Sequence, residues 1–218
     1  MEKEELLETA KPILFNTDMV SAILDGRKSS TRRVVKFLPG ENPHWTGYIK
    51  DGLMLYNGRN EPCCRKPAYQ PEEILYVRET FKYYEKVEGR GESCHRVKRL
   101  RFKADSNNNE PSEFYGVSWK PPIHMQKEDA RIFLKVTDVR PEKLHAITNE
   151  QILREGAREE VINSYISRMP EISDKLIREA YMREWKHIWD SSVNKANLYF
   201  YGFGANPWVW VIEFERIG

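Results

Sequence analysis

Residues 13–33, ILFNTDMVSAILDGRKSSTRR, carry the signals of a strand, a capped helix and a basic turn in immediate succession. The apolar residues 13–15 predict a short strand, and Asn16 or Thr17 is placed to accept the first free N–H groups of a helix. Gly26 ends that helix, because glycine adopts the left-handed conformation found after a C-cap without strain. The apolar side chains of the helix recur with a 3.6-residue period, at Met19, Val20, Ile23 and Leu24.

A run of cations and hydroxyls follows this helix. Residues 27–36 contain no acid, and their basic side chains are Arg27, Lys28, Arg32, Arg33 and Lys36. Such a run suits a phosphate or the polar edge of a base, and it equally fits a solvated basic turn. Lys28 and Thr31 form the candidate catalytic pair. A threonine hydroxyl needs a neighbouring base, and a lysine can be that base only if desolvation or nearby cations lower its pKa.

The composition is that of a globular protein. The chain has 218 residues, with 35 Lys and Arg against 33 Asp and Glu, a formal charge of +2, and 40% hydrophobic residues. A disordered chain has fewer apolar residues and more net charge, and a membrane protein needs about 18 consecutive apolar residues. Both classes are excluded. Nucleic-acid binding stays open, because the positive charge is concentrated in residues 27–36 and 96–103.

The first residues and the cysteines predict a cytoplasmic protein. The opening MEKEELLETAKP is acidic and lacks the apolar segment of a secretory signal. Cys63, Cys64 and Cys94 make an odd count, which argues against a disulfide framework and for a reducing compartment. Adjacent thiols match poorly the spaced ligand pairs of zinc sites, even with His95 beside Cys94. We therefore expect no metal and no cofactor.

The middle of the chain alternates irregular segments with strands. Residues 39–71 are rich in Gly, Pro and Asn and predict a loop with short hairpin pieces at 48–56. Aromatic and β-branched side chains predict one strand over 74–84, with a return strand near 97–103. The tract DSNNNEPSE, residues 105–113, predicts a surface loop.

Alternating apolar residues predict two later strands. Ile132, Leu134 and Val136 give a strand with one apolar face. The last strand is apolar on both faces at first and on one face later. Its two alternating sets are Trp208, Trp210, Ile212 and Phe214 on one side and Val209, Val211, Glu213 and Glu215 on the other.

The region between these strands predicts helices. Thr148 and Gln151 form a capping box, Ile147 and Ile152 are spaced as a hydrophobic staple, and Gly156 supplies the stop of a helix over 149–155. Two longer helices are predicted over 158–168 and 172–189. The second carries an apolar stripe of Ile177, Tyr181, Trp185, Ile188 and Trp189.

These elements predict an α+β protein in which a small mixed β-barrel carries flanking helices. We expect a single domain over residues 1–218, with insertions at about 39–72 and 82–113. A helical annex at about 157–195 is expected before the last strand.

Two further places carry candidate site residues. Glu155 lies in the last turn of its predicted helix, where a carboxylate opposes the helix dipole by about 0.3 to 1 kcal/mol. Alternatively, Glu155 forms an ion pair with Arg154 or Arg158 on the surface. In SWKPPIHM, residues 118–125, two prolines fix the backbone beside Trp119, Lys120 and His124, which suits base stacking and anchoring. Trp119 equally fits the core, and His124 a structural role.

Six segments of the chain resemble the ASCH-domain family, specifically its stand-alone phage and prophage members. They are ILFNTDMVSAILDGRKSSTRRVV, ILYVRETF, KPPIHM, RIFLKVTDVRPEKLHAIT, ILREG and NPWVWVIEFER, and together they make up about a third of the chain. The resemblance implies a PUA-like fold, a small β-barrel with flanking helices, and a cleft for RNA or a modified nucleoside.

Some ASCH-like enzymes are amidohydrolases that deacylate N4-acetylcytidine with a Lys, a Thr and a Glu. The resemblance implies these roles for Lys28, Thr31 and Glu155, the last counted seven residues from Thr148. Ser29 stands where the family motif has Thr, and this chain is longer than the compact amidohydrolases.

The cleft we expect combines the basic run with residues from two later segments: Arg27, Ser29, Arg32, Arg33, Arg78, Trp119, Lys120 and His124. The expected ligand is RNA or a modified nucleoside. A non-catalytic reader of modified bases, a ribonuclease and a phage protein that binds a host protein remain alternatives, because other ASCH members have such roles.

Overall fold

The computed structural model of the chain describes residues 3–41, 48–50, 54–89, 93–106, 117–169 and 171–217. Within these ranges the helices are α1 (Lys3–Thr9), α2 (Thr17–Leu24), α3 (Asn149–Arg154), α4 (Glu159–Ile166), α5 (Asp174–Ser192) and α6 (Leu198–Tyr201). The strands are β1 (Lys11–Leu14), β2 (Ser30–Val34), β3 (Tyr48–Lys50), β4 (Met54–Tyr56), β5 (Ile74–Arg78), β6 (Phe81–Glu88), β7 (His95–Phe102), β8 (Phe133–Lys143) and β9 (Trp208–Arg216).

The chain forms two compact units, each assembled from separate stretches. The first unit contains Met1–Asp25, Glu73–Lys135 and Arg216–Gly218, and the second contains Gly26–Glu72 and Val136–Glu215. The α+β class is confirmed. The strand pairs of the described residues do not form a closed ring, and the PUA-like barrel stays a prediction. The same holds for the single-domain organisation and its insertions.

In the first unit, a short mixed sheet supports a β-hairpin. Strand β5 pairs in parallel with β1 and antiparallel with the first residues of β8. Strands β6 and β7 form an antiparallel hairpin from Phe81↔Phe102 to Glu88↔His95. Phe81 and Phe102 are both buried in an apolar cluster. Its other buried members are Leu6, Ala10, Tyr76, Met125, Ala130 and Phe133.

The prediction of one strand over residues 74–84 is wrong, because the chain breaks between β5 and β6. At the break, Glu79 is buried and its carboxylate accepts two hydrogen bonds from Arg131, at 2.8 and 2.9 Å. The two halves also pair with different strands. The return strand was predicted close to its position, and the predicted loop at 105–113 falls largely outside the described residues.

In the second unit, β9 and β2 form an antiparallel pair that leads into the site. The register runs from Ser30↔Glu213 to Val34↔Val209. Helices α3, α4 and α5 pack on an apolar cluster of Leu144, Ile147, Ile152, Ala157, Ile162, Ala180, Trp185, Trp189 and Val209. The hairpin pieces predicted around residues 48–56 are confirmed as the antiparallel pair β3 and β4.

The local helix signals are confirmed. Asn16 caps α2 by accepting from the Met19 N–H at 2.9 Å. Both hydrogen bonds of the predicted capping box are present at Thr148 and Gln151. Gly156 follows α3 with a φ of +98°, in the left-handed region that favours glycine. Among the helices described here, none is long and apolar enough to cross a membrane.

Candidate functional site

The end of α3 and the start of β2 bring Lys28 to Glu155. The two residues form an isolated antiparallel bridge, and the Ser29 N–H donates to the Arg154 carbonyl at 2.9 Å. Glu155 is the C-cap of α3, so the turn at Gly156 sets the position of its carboxylate. The capping box and the glycine stop therefore build one half of the site.

The Lys28 ammonium is enclosed by oxygen atoms. Its Nζ donates to the Ser30 carbonyl at 2.7 Å, to the Glu155 carbonyl at 2.9 Å and to Glu155 Oε2 at 3.0 Å. The side chain of Lys28 is 0% exposed and that of Glu155 is 3% exposed. Lys28 therefore makes an ion pair that is shielded from water.

Burial lowers the pKa of Lys28 below its ordinary value of 10.5. The Glu155 carboxylate opposes this shift, while the charges of Arg33 and Arg32 add to it. This is the effect that the sequence predicted for a lysine acting as a base. Arg27, the other arginine beside Lys28 in the basic run, is not among these causes, and its guanidinium donates to the Gly156 carbonyl at 2.8 Å.

Arg32 holds the opposite side of the same carboxylate. Its Nη1 donates to Glu155 Oε1 at 2.8 Å, and its Nη2 lies 3.3 Å from both Glu142 Oε2 and Gln151 Oε1. The guanidinium also lies over the Trp185 ring, 5.7 Å from its centroid. The side chain is 0% exposed. Arg32 is therefore suited to positioning Glu155 rather than to contacting a ligand directly.

Thr31 is buried on the other face of β2, and Arg33 binds its hydroxyl. Arg33 Nη1 donates to Thr31 Oγ1 at 2.8 Å and to the Arg32 carbonyl at 3.1 Å. In the register with β9, Thr31 lies opposite Ile212 and Arg33 opposite Trp210. Directly opposed residues of an antiparallel pair share a face. We call Lys28, Thr31, Arg32, Arg33 and Glu155 the Lys28 cluster.

A pocket of about 310 Å³ lies on the Thr31 face of these two strands. It is lined by Arg33, Val34, Lys36, Arg65, Lys66, Ala68, Tyr69, Trp210 and Ile212, and we call it the basic pocket. Arg33 belongs both to this lining and to the Lys28 cluster. Lys28, Thr31 and Glu155 are not lining residues, so Arg33 is the link between these three residues and the pocket.

The remaining predicted ligand contacts fall into two groups. Ser29 lies in the second unit, where it is half-buried and its carbonyl accepts from the Phe214 N–H at 2.9 Å. The others belong to the first unit: Arg78, Trp119, Lys120 and His124.

In the first unit, these residues contact their own surroundings. Arg78 donates to the Ile123 carbonyl, and the exposed Lys120 exchanges backbone hydrogen bonds with Phe81. Trp119 is half-buried beneath the Lys82 ammonium, 4.3 Å from the ring centroid, and His124 is exposed.

Several site residues were not identified from the sequence. Arg65 and Lys66 are adjacent cations in a segment predicted only as loop, and Tyr69 follows closely. Trp210 was predicted only as one of the alternating apolar residues of the last strand, and not as a site residue. The RK pair at 65–66 was a local signal, but its proximity to β2 depends on the hydrogen bond from the Arg65 N–H to the Lys36 carbonyl, at 2.8 Å.

The cysteines give no metal-binding geometry in the described part of the chain, where no three His, Cys, Asp or Glu side chains are grouped for a metal ion. Cys63 and Cys64 are buried free thiols, while Cys94 is exposed. Burial raises the pKa of both buried thiols.

Comparisons with protein-family models, with curated proteins and with solved structures give no match to this chain. The geometry of the second unit and the motif resemblance are therefore the grounds for a functional assignment.

Proposed function

We propose that the protein binds RNA or a modified nucleoside and hydrolyses the amide of an N4-acylated cytidine at the Lys28 cluster. The observation that carries this proposal is the 3.0 Å contact between Lys28 Nζ and Glu155 Oε2, with Thr31 buried on β2, three residues after Lys28. A buried lysine with a lowered pKa is the base that a threonine nucleophile requires.

The first half of the reaction transfers the acyl group to the protein. Lys28, in its neutral form, removes the proton from Thr31 Oγ1, and this oxygen bonds to the acyl carbon. The bond between the acyl carbon and N4 then breaks. Lys28 returns the proton to N4, which releases cytidine and leaves an ester on Thr31.

The second half restores the enzyme. A water molecule gives a proton to Lys28 and adds to the ester carbon, and the bond to Thr31 Oγ1 breaks as that oxygen regains a proton. The sum is acylcytidine plus water giving cytidine and a carboxylic acid. Glu155 keeps the Lys28 amine oriented throughout, and Arg32 keeps Glu155 in place.

Arg33 governs access to the nucleophile in this scheme. It donates to Thr31 Oγ1 and also lines the basic pocket, so a ligand in the pocket competes for the same guanidinium. Once Arg33 turns toward the ligand, the Thr31 hydroxyl is free to transfer its proton. Its positive charge then lies where negative charge develops on the acyl oxygen.

The test is incubation with N4-acetylcytidine, with cytidine and acetate measured by mass spectrometry. Lys28→Ala and Thr31→Ala are expected to lower the rate by at least about 100-fold while the circular dichroism spectrum is unchanged. Lys186→Ala, which removes an exposed cation from α5, is the matched control and keeps full activity. Turnover by the wild type that both site variants retain in full contradicts the assignment.

A non-catalytic reader of modified bases is the second candidate. In the structure the Lys28 ammonium already donates to three oxygen atoms, and the Thr31 hydroxyl accepts from Arg33. Such an arrangement also suits a site that only binds. Saturable binding of N4-acetylcytidine without any release of cytidine favours this candidate.

A PUA-like fold and a cytoplasmic location belong to the same proposal. The motif resemblance supports the fold, and the free thiols of Cys63 and Cys64 support a reducing compartment.

A further inference from the structure

The basic pocket concentrates positive charge without a counter-charge in its lining. Four of its lining residues are cations, Arg33, Lys36, Arg65 and Lys66, and none is acidic. Among the described residues, no ion pair includes Lys36, Arg65 or Lys66. Like charges that line one pocket repel one another, and a bound anion relieves that repulsion.

The cations are placed by the backbone rather than by chance proximity of long side chains. The segment before Arg65 runs alongside the continuation of β2: Phe37 and Cys64 form an antiparallel bridge, and the Leu38 N–H donates to the Cys63 carbonyl at 3.0 Å. The Arg65 N–H donates to the Lys36 carbonyl at 2.8 Å. Two cation-bearing segments are therefore held side by side at the pocket.

The remaining lining is aromatic and apolar. Tyr69 and Trp210 supply aromatic rings, and Val34 and Ile212 supply apolar side chains. Aromatic side chains stack on nucleobases, and cations contact phosphates. The volume of about 310 Å³ lies at the lower end of the range for small-ligand pockets, roughly 300 to 1,000 Å³.

The pocket also adjoins the proposed reaction centre. Ile212 lies opposite Thr31 in the strand register, and Arg33 bridges from the lining to the Thr31 hydroxyl. A base stacked in the pocket therefore lies beside the wall that covers Thr31.

We infer that the basic pocket binds a cytosine nucleotide through its phosphate, so a phosphorylated cytidine or a cytidine within RNA binds more tightly than the free nucleoside. The inference deepens the proposed function and depends on it for the identity of the base. The phosphate contacts depend only on the pocket. Arg65 and Lys66 bind the phosphate. Arg33 lies between the pocket and the Thr31 hydroxyl.

Isothermal titration calorimetry with the full chain tests this. The probes are cytidine, cytidine 5′-monophosphate, inorganic phosphate, and a short cytidine-containing RNA without terminal phosphates. The monophosphate is expected to bind at least about tenfold more tightly than cytidine, because its phosphate adds charge-assisted hydrogen bonds that the nucleoside lacks. Arg65→Ala and Lys66→Ala should each remove most of that preference, while the exposed control Lys186→Ala should keep it.

Comparison of the monophosphate with the RNA shows whether the pocket binds a terminal phosphate or a backbone phosphate. Preference for the monophosphate over cytidine points to a terminal phosphate. Tight binding of the RNA, weakened by Lys66→Ala but not by Lys186→Ala, points to a backbone phosphate. Either result supports the pocket. Inorganic phosphate should compete with both ligands and not with cytidine.

Equal affinity for cytidine and its monophosphate, together with RNA binding that Arg65→Ala and Lys66→Ala leave unchanged, overturns the inference. That outcome is separate from failure of the hydrolysis. N4-acetylcytidine carries no phosphate, so release of cytidine from it at saturating concentration reports on the Lys28 cluster and not on the phosphate contacts of Arg65 and Lys66. Phosphate preference without any hydrolysis supports the pocket and contradicts the proposed reaction.

Discussion

Lys28 Nζ lies 3.0 Å from Glu155 Oε2, although 127 residues separate the two in the chain, and both side chains are buried. The same carboxylate accepts from Arg32 at 2.8 Å. One carboxylate thus balances two cations from which water is excluded. Since a buried charge without a partner is costly, this contact is structural as well as chemical.

Removal of the Glu155 carboxylate should destabilise the fold strongly. Glu155→Ala leaves Lys28 and Arg32 without their shared partner, and we expect a loss of about 3 to 5 kcal/mol in the free energy of unfolding. Urea denaturation followed by circular dichroism measures it. Glu150→Ala, on the same helix, breaks an exposed ion pair with Arg154 and should cost no more than about 0.5 kcal/mol. Equal losses in the two variants would refute the buried pair.

The Lys28 amine should titrate below its ordinary pKa of 10.5, since burial disfavours the ammonium. The ¹³Cε resonance of Lys28 reports this ionisation directly. Arg33→Met removes a cation that lowers the pKa of Lys28, so the midpoint should move upward. Lys186→Met, at an exposed site on α5, should leave it unchanged.

The lowered pKa of Lys28 should make the stability of the fold depend on pH. Between the lowered pKa of Lys28 and 10.5, the unfolded chain binds more protons than the folded chain at this group, so the Lys28 contribution to stability rises with pH. Subtracting the unfolding free energies of Lys28→Met from those of the wild type isolates this contribution. A difference that falls with pH across the window contradicts the assignment.

Trp185 and Trp189 should respond differently to the same substitution. Both are buried on α5, but Trp189 Nε1 donates to the Tyr201 carbonyl at 2.7 Å, while Trp185 Nε1 has no hydrogen-bond partner among the described residues. Substitution of Trp189 by phenylalanine removes an N–H group that donates a hydrogen bond. Substitution of Trp185 removes an N–H group without such a partner among the described residues. Trp189→Phe should therefore be more destabilising than Trp185→Phe by about 1 to 2 kcal/mol in thermal or urea unfolding. The reverse order would contradict the hydrogen-bond assignment.

Tyr83 should keep its proton to high pH. Its hydroxyl donates to the Asp129 carboxylate, and this hydrogen bond raises the pKa of Tyr83 from 10.0 to about 12. Absorbance at 295 nm, compared between the wild type and Tyr83→Phe, measures the titration. Between pH 10 and 12 the folded chain holds this proton and the unfolded chain loses it, so the Tyr83 contribution to stability falls as pH rises. Asp129→Asn should bring the midpoint back toward 10.

The cysteines should differ in reactivity toward iodoacetamide. Cys94 is exposed, whereas Cys63 and Cys64 are buried, with pKa values raised by that burial. The native protein should take up a single label, at Cys94, and the unfolded protein should take up three. Peptide mass spectrometry locates the label, and Cys94→Ser should be unlabelled in the native state. Labelling of Cys63 at the rate of Cys94 would contradict the burial.

Local signals predicted the elements that local interactions build. The Asn16 cap, the Thr148 capping box and the glycine after α3 each join residues a few positions apart, and each appears as predicted. The strand over residues 74–84 was predicted wrongly for the complementary reason. Its break at Glu79 depends on Arg131, 52 residues further along the chain, which no local pattern reveals.

The candidate site divides in the same way. The amino-acid sequence by itself determined that Lys28 and Thr31 follow a helix in one run of cations and hydroxyls, and that Glu155 ends a short capped helix, because those features depend on side-chain type and spacing. Only the tertiary structure decided that the ammonium and the carboxylate meet away from water, and that Arg65 and Lys66 lie beside Arg33. Ion pairs and pockets are made by groups distant in the chain, and their burial and charge balance exist only after the segments that carry them have paired.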